Sequence, residues 1–172
     1  MLFRSVHPSD TATALLALNA STKITGASGE KTVPFDQYFH GPREDVLTEN
    51  ILKPDEVMTH VVVPTPAAGT KMAWTKLKDR QVYDFAVVSV AVAYTVDAAG
   101  KWSDGRIVLG GVSPVPYRAA VVETALKGQD VRATAKTAAA QIRTVARPMS
   151  LNAYKVDVAQ NLIERTLLQA LG

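Results

Sequence analysis

The sequence contains no cysteine. That excludes disulfides, a thiolate nucleophile and any iron–sulfur cluster ligated by this chain's own thiolates. Only three histidines occur, His7, His40 and His60. They lie in different segments, and no pair has metal-ligand spacing. Aromatics make up 6%, too few to interleave with the basic residues as a nucleic-acid surface would require. Lys and Arg are scattered among acids, so the net charge of +3 does not gather into a basic patch, and nucleic-acid binding is not expected. The apolar runs fall well short of the ~20 residues a membrane span needs, so no membrane span is expected either. No serine stands in a G-x-S-x-G elbow, which leaves nucleophilic hydrolysis without support. Gly110-Gly111 leads to Pro114 rather than to a Gly-Lys-Ser/Thr helix start. It is therefore not a phosphate loop and reads as close backbone packing at a strand end. Met1 to Val6 is too short for the apolar core of a secretory signal. It reads as a chain entering in mid-fold, or as a short strand or tail.

What is present is globular in character. The chain has 172 residues, 47% hydrophobic and 20% charged, the balance of an ordinary domain long enough to bury a core without staples. The stretch from Lys76 to Arg118 organises it. A charged run, Lys76-Leu77-Lys78-Asp79-Arg80, precedes an apolar segment from Phe85 to Val96. A polar turn around Asp97 to Asp104 follows, then a second apolar run from Ile107 to Val112 and an exit marked by Pro114 and Pro116. Two β-rich runs joined by a Gly-containing turn predict a hairpin.

Before it, Ser9 or Asp10 is placed to cap a helix from Asp10 to about Asn19. Ser21 to Thr25 and Lys31 to Pro34 are strands around a four-residue turn, and Phe35 to Phe39 is one helical turn with its aromatics inward. Arg43 to Asn50 is polar loop. Val57 to Val63 is a strand ended by Pro64 and Pro66. Met72 to Leu77 is a strand with Met72, Trp74 and Lys76 on one face. After the hairpin come helices over Arg118 to Lys127, ended at Gly128; over Val131 to Val145, rich in Ala; and over Asn152 to Leu171, with Asn152 as N-cap. Strands first and helices after predict an α+β fold, a small antiparallel sheet with helices on one face. The boundary between an N-terminal and a C-terminal unit falls near Pro64 to Gly69.

Ser89, inside an apolar strand, reads as a small core filler. The group Lys76, Lys78, Asp79, Arg80, Tyr83 and Asp84 has two readings. One is a solvated loop; the other is a ligand contact at the mouth of the sheet, since loops on rigid scaffolds often serve so.

The segments His7-Pro8-Ser9-Asp10, Val33-Pro34, Leu52-Lys53-Pro54-Asp55-Glu56, Lys76-x-Lys78-Asp79-Arg80-x-x-Tyr83-x-Phe85-Ala86, Leu109-Gly110-Gly111-Val112, Pro116-x-Arg118 and Asn152-Ala153-Tyr154-Lys155 occur in that order. Together they resemble the FAD-binding (medium) subunit of the molybdenum hydroxylases, the family of xanthine dehydrogenase, aldehyde oxidoreductase and CO dehydrogenase. The blocks around Lys78 and Asn152 are most similar to the bacterial aldehyde-oxidoreductase branch. The resemblance implies that residues 1–64 are the C-terminal end of a FAD-binding domain and that residues 65–172 are the family's complete C-terminal domain. The glycine-rich diphosphate loops of the family would precede His7, so the resemblance implies a truncated subunit, inactive as an isolated chain and lacking part of its FAD pocket.

Three positions match family residues at the flavin. Asp10 matches an aspartate that hydrogen-bonds the cofactor, Met58 a position lining it, and Lys76 a lysine approaching from the C-terminal domain. Tyr83 is a further candidate to pack on the ring. The implied role is an electron-transfer step, from iron–sulfur clusters through FAD to an acceptor. The implied partners are a molybdopterin-binding large subunit, an iron–sulfur small subunit and a separately encoded N-terminal FAD-binding half. The implied compartment is the cytoplasm, or the periplasm through a partner's export signal. The alternative is a non-catalytic subunit-docking module that has lost FAD binding.

Overall fold

Two antiparallel sheets divide the strands between them in this computed structural model, which describes residues 6–172. Most of the short opening segment read above as a strand or tail lies outside the described residues. Helix α1 (Asp10–Ala17) is followed by strands β1 (Ser21–Gly26) and β2 (Gly29–Pro34), paired from Ser21 opposite Pro34 to Gly26 opposite Gly29. A 3-10 turn, Phe35–Gln37, buries Phe35, and Tyr38 is buried just after it. Strand β3 (Val57–Val62) returns along the other side of β1, giving the order β2-β1-β3.

The second sheet has the order β4-β5-β6-β7, with β4 Lys71–Leu77, β5 Val88–Val96, β6 Trp102–Gly110 and β7 Tyr117–Arg118. Four helices follow: α2 (Ala120–Leu126), α3 (Val131–Ala139), α4 (Ile142–Val145) and α5 (Tyr154–Leu171). The period of two along β5 decides what each side chain meets. Val88, Val90, Val92 and Tyr94 join Ile107, Leu109, Leu126, Ile142, Ile163 and Leu167 in the main core. Ala91, on the opposite face, joins Val108, Ala12, Leu16, Ala17 and Phe35 in a second one. The C-terminal helices therefore cover one face, as predicted, and α1 covers the other. Tyr94 hydroxyl donates to the Leu167 carbonyl at 2.9 Å, so the buried ring leaves no polar group unpaired.

Several elements differ from expectation in their bounds. The residues from Phe85 to Val87 precede β5 rather than extending it, and Phe85 is exposed. Strand β6 begins at Trp102, five residues early, because the turn closes by Asp97: its Oδ1 accepts from the amides of Ala99 and Lys101. The single helix expected from Val131 to Val145 is two. Amides of Gln141, Arg143 and Thr144 donate three residues back, to Ala138, Ala140 and Gln141, tightening one turn and setting Ile142 into the core. Asn152 does not occupy the cap of α5, which is Ala153. Its Oδ1 accepts from the Met149 amide at 2.8 Å instead.

Candidate functional site

Helix α1 starts where Ser9, in extended conformation, accepts a hydrogen bond from the Ala12 amide at 3.1 Å. Asp10 is the first helical residue, where a carboxylate is favoured by the helix dipole. Beneath it runs a row of three residues across the second sheet: Lys76 opposite Ser89, and Ser89 opposite Gly110. The Lys76 Nζ donates to Asp10 Oδ2 at 2.5 Å and to the Asp84 carbonyl at 2.5 Å.

The glycine pair explains how close the helix comes. A Cβ on Gly110 would stand 2.4 Å from Ser89 Oγ and 2.5 Å from Thr13 Oγ1. Any side chain there would have to displace the Ser89 hydroxyl and Thr13, a residue in the first turn of α1. Gly111 has φ +74°, and a Cβ on it would meet the Ala86 carbonyl at 2.8 Å and the Val87 carbonyl at 3.0 Å. One glycine thus seats α1, and the next seats the loop between β4 and β5. The expected close backbone packing at this strand end is what the structure shows. Lys155 fixes the same corner by donating to the Gly111 carbonyl at 3.1 Å. Its burial lowers its pKa, an effect opposed by the nearby Asp79 carboxylate. The His7 amide donates to the Ser113 carbonyl at 2.6 Å, tying the chain before α1 to the same turn.

The loop of residues 78–87 is itself ordered. Asp84 accepts from Arg80 through both oxygens, at 3.0 and 3.1 Å, and from the Phe85 amide at 2.9 Å. These bonds, the Arg80 contact first, hold its carboxyl below the ordinary carboxylate range. Lys78 Nζ donates to the Val82 carbonyl at 3.0 Å. At the base the Val87 amide donates to the Leu77 carbonyl.

Of the four site residues expected from the sequence, the structure joins two directly, Asp10 and Lys76, which come from elements 66 positions apart. Met58 lies on β3, opposite Ile24, in the other sheet. Tyr83 is fully exposed at the tip of the loop. Ser89 is the small, buried residue expected, though its Oγ has no hydrogen-bond partner among the described residues. Asp84 was within the charged cluster but not among the site residues. Its signal in the sequence is Arg80 four positions earlier; what no pattern shows is that its backbone carbonyl would hold Lys76.

Chemically, Lys76 has three N–H donors, and two are engaged by Asp10 and Asp84. One is left for a ligand, next to an Asp10 carboxylate that is partly open to solvent. Further along the seam between α1 and the edge strand β4, an apolar cavity of about 230 Å³ is lined by Ala14, Ala17, Leu18, Met72 and Trp74, and neither Asp10 nor Lys76 lines it. A cation with a free donor and an adjacent acceptor suits a ligand group that gains negative charge. Among the described residues, no group of His, Asp or Glu is arranged to hold a metal ion, and no helix is long and apolar enough to cross a membrane.

Residues 73–170, more than half of the chain, match the CO dehydrogenase flavoprotein C-terminal domain. Residues 2–66 match the FAD binding domain in molybdopterin dehydrogenase. The chain is 31% identical over 167 residues to the aldehyde oxidoreductase FAD-binding subunit PaoB of Escherichia coli, covering 96% of this chain and 49% of that protein. It is 33% identical over 167 residues to the carbon monoxide dehydrogenase medium chain of Hydrogenophaga pseudoflava, covering 94% of this chain and 56% of that one. The solved carbon monoxide dehydrogenase of the same organism superposes with a TM-score of 0.83 at 31% identity, covering 95% of this chain and 56% of the other. The chain thus spans about half the length of the relatives it matches. By these matches and by its α+β fold, the chain belongs to the flavoprotein (medium-subunit) family of the molybdenum hydroxylases.

Proposed function

We propose that the chain supplies the ring-facing side of a FAD site in a multi-subunit molybdenum hydroxylase of the aldehyde or xanthine oxidoreductase type. The observation that carries this reading is the Lys76–Asp10 pair, held at 2.5 Å across the seam between α1 and β4 with one lysine donor to spare. A bound flavin supplies the electron-carrying chemistry. Lys76 places positive charge where the reduced ring becomes an anion, and Asp10 orients that ammonium and offers an acceptor beside it. Met58 and Tyr83 belong to the same reading as ring-lining positions that a complete pocket brings to the cofactor.

Residues 1–64 form the C-terminal end of the FAD-binding domain in this proposal, and residues 65–172 the C-terminal domain; the family matches over 2–66 and 73–170 support that division. The residues present fit the ring portion of FAD. The phosphate portion would be met by an N-terminal FAD-binding half, whose amides would neutralise the pyrophosphate. The other partners are a molybdopterin-binding large subunit and an iron–sulfur small subunit, from whose clusters electrons pass to FAD and on to an acceptor.

The test is Lys76→Met in the assembled complex. Flavin affinity is expected to fall about tenfold or more, which is the loss of one charge-assisted hydrogen bond. The flavin potential should become about 30–60 mV more negative, as the reduced anion loses its counter-charge. Unchanged affinity and potential would remove Lys76 from the site.

A further inference from the structure

We infer that Arg80 and Asp84 are positioning residues for Lys76: their ion pair folds the β4–β5 loop so that a backbone carbonyl, rather than water, holds the lysine. The place of Lys76 at a flavin rests on the function proposed above, but the clip itself is read from geometry alone.

Three observations converge. First, Asp84 works at both ends. Its carbonyl accepts from Lys76 Nζ at 2.5 Å, while its carboxylate is gripped by Arg80 Nε and Nη2 at 3.0 and 3.1 Å. Side-on, two-point contact of this kind fixes the plane of the carboxylate as well as its position. Second, Asp84 Oδ1 also accepts from the Phe85 amide at 2.9 Å, which sets the peptide that follows the lysine-binding carbonyl. The direction of that carbonyl therefore depends on the side chain. Third, the lysine is enclosed: its side chain is 14% exposed, although it stands on an edge strand. The loop makes that enclosure, since its base is closed by the bond from the Val87 amide to the Leu77 carbonyl and its middle by Lys78 donating to the Val82 carbonyl.

A lysine ammonium has four flexible carbons behind it and would otherwise sample several positions. With Asp10 on one side and the Asp84 carbonyl on the other, two donors are directed and the third is aimed by default. Arg80 thus acts on the ligand-facing N–H through two intermediates without touching a ligand. Its guanidinium is largely exposed, so removing it opens no cavity.

The experiment is competitive acylation of lysines by an N-hydroxysuccinimidyl acetate in the full chain, read lysine by lysine by peptide mass spectrometry. It needs no flavin, so a failure of the flavin reading leaves its result intact. In Arg80→Met and Asp84→Asn, the acylation rate of Lys76 is expected to rise about two- to fivefold, the range a partly exposed ion pair commands. Lys155, half-buried at the glycine corner, should keep its rate, and Arg80→Lys should fall between Arg80→Met and the parent chain. An unchanged Lys76 rate in both variants overturns the proposal. So does a parallel rise at Lys155, which would make the pair a general stabiliser of this end of the sheet. In a flavin-loaded complex, the same variants should shift the flavin potential in the direction of Lys76→Met and by a smaller amount.

Discussion

Strands β5 and β3 are similar as sequences and opposite as structures. Both are apolar, β-branched and bounded by turn signals: Val88–Val96 reads VSVAVAYTV, and Val57–Val62 reads VMTHVV. Seven of the nine residues of β5 are buried, because α5 packs on one face and α1 on the other. Every residue of β3 is exposed, including Val57, Met58, Val61 and Val62. Hydrophobicity in a strand records what it is built to be covered by; it does not supply the cover. The four-stranded sheet finds both its layers within the described residues, whereas β3, one of the two outer strands of the three-stranded sheet, presents apolar side chains and an edge that is unpaired among the described residues. Such an edge invites pairing with another chain.

The sharpest way to break this comparison is to truncate equivalent side chains in the two sheets. Leu109→Ala, in the main core, is expected to cost about 2–5 kcal/mol in urea unfolding. Val61→Ala on β3 should stay within about 0.5 kcal/mol. Equal losses would mean that β3 is covered after all. Next in size is Glu123→Ala. Glu123 accepts from the buried Ile107 amide at 2.9 Å and from Arg118 Nε at 3.0 and 3.1 Å, joining β6, β7 and α2. Leaving the Ile107 amide without an acceptor should cost about 1–3 kcal/mol, with Glu123→Gln less damaging because it keeps an acceptor.

The smallest effect concerns His7, whose ring packs edge-on against Phe39 at 4.6 Å with both nitrogens buried and without a hydrogen-bond partner among the described residues. Burial lowers its pKa, and the Glu49 carboxylate only partly opposes that. A group with a depressed folded-state pKa binds its proton more readily in the unfolded chain. Its contribution to stability is therefore complete above the ordinary value of 6.5 and is lost as pH falls from there towards the folded-state value. His7→Phe should remove that acid-side slope. At neutral pH it should leave Tm equal or raise it by a few degrees, where about 2–4 °C corresponds to 1 kcal/mol in a chain approaching this size. Thermal melts of both proteins at pH 7.5 and pH 5.5 measure the difference.

Much of the fold was legible in the residues. The cap at Ser9 or Asp10, the turn at residues 26–29, the two apolar runs joined by a Gly-containing turn and the apolar face of α5 are local signals, and each gave the right element. What was not legible depended on partners. Strand β7 has only two residues, directly after Pro116, and exists only because it pairs with Val108 and Leu109. The break between α3 and α4 has neither Gly nor Pro to announce it. Phe85 is apolar but follows the Asp84 turn, so it is presented outward rather than added to the strand. At the site, Lys76 and Asp10 could be singled out, but their contact arises from the glycine seat under α1, which only tertiary structure reveals.

That contact has a consequence for the order of folding. The hairpin of β5 and β6 and the helices after it are joined by short connections and can assemble early, while Lys76 and Asp10 are separated by 66 positions. Closing so long a loop carries an entropic cost that must be met before the contact rewards it. The ion pair therefore forms only when α1 docks on a sheet already in place. Its appearance during refolding serves as a clock for that docking event.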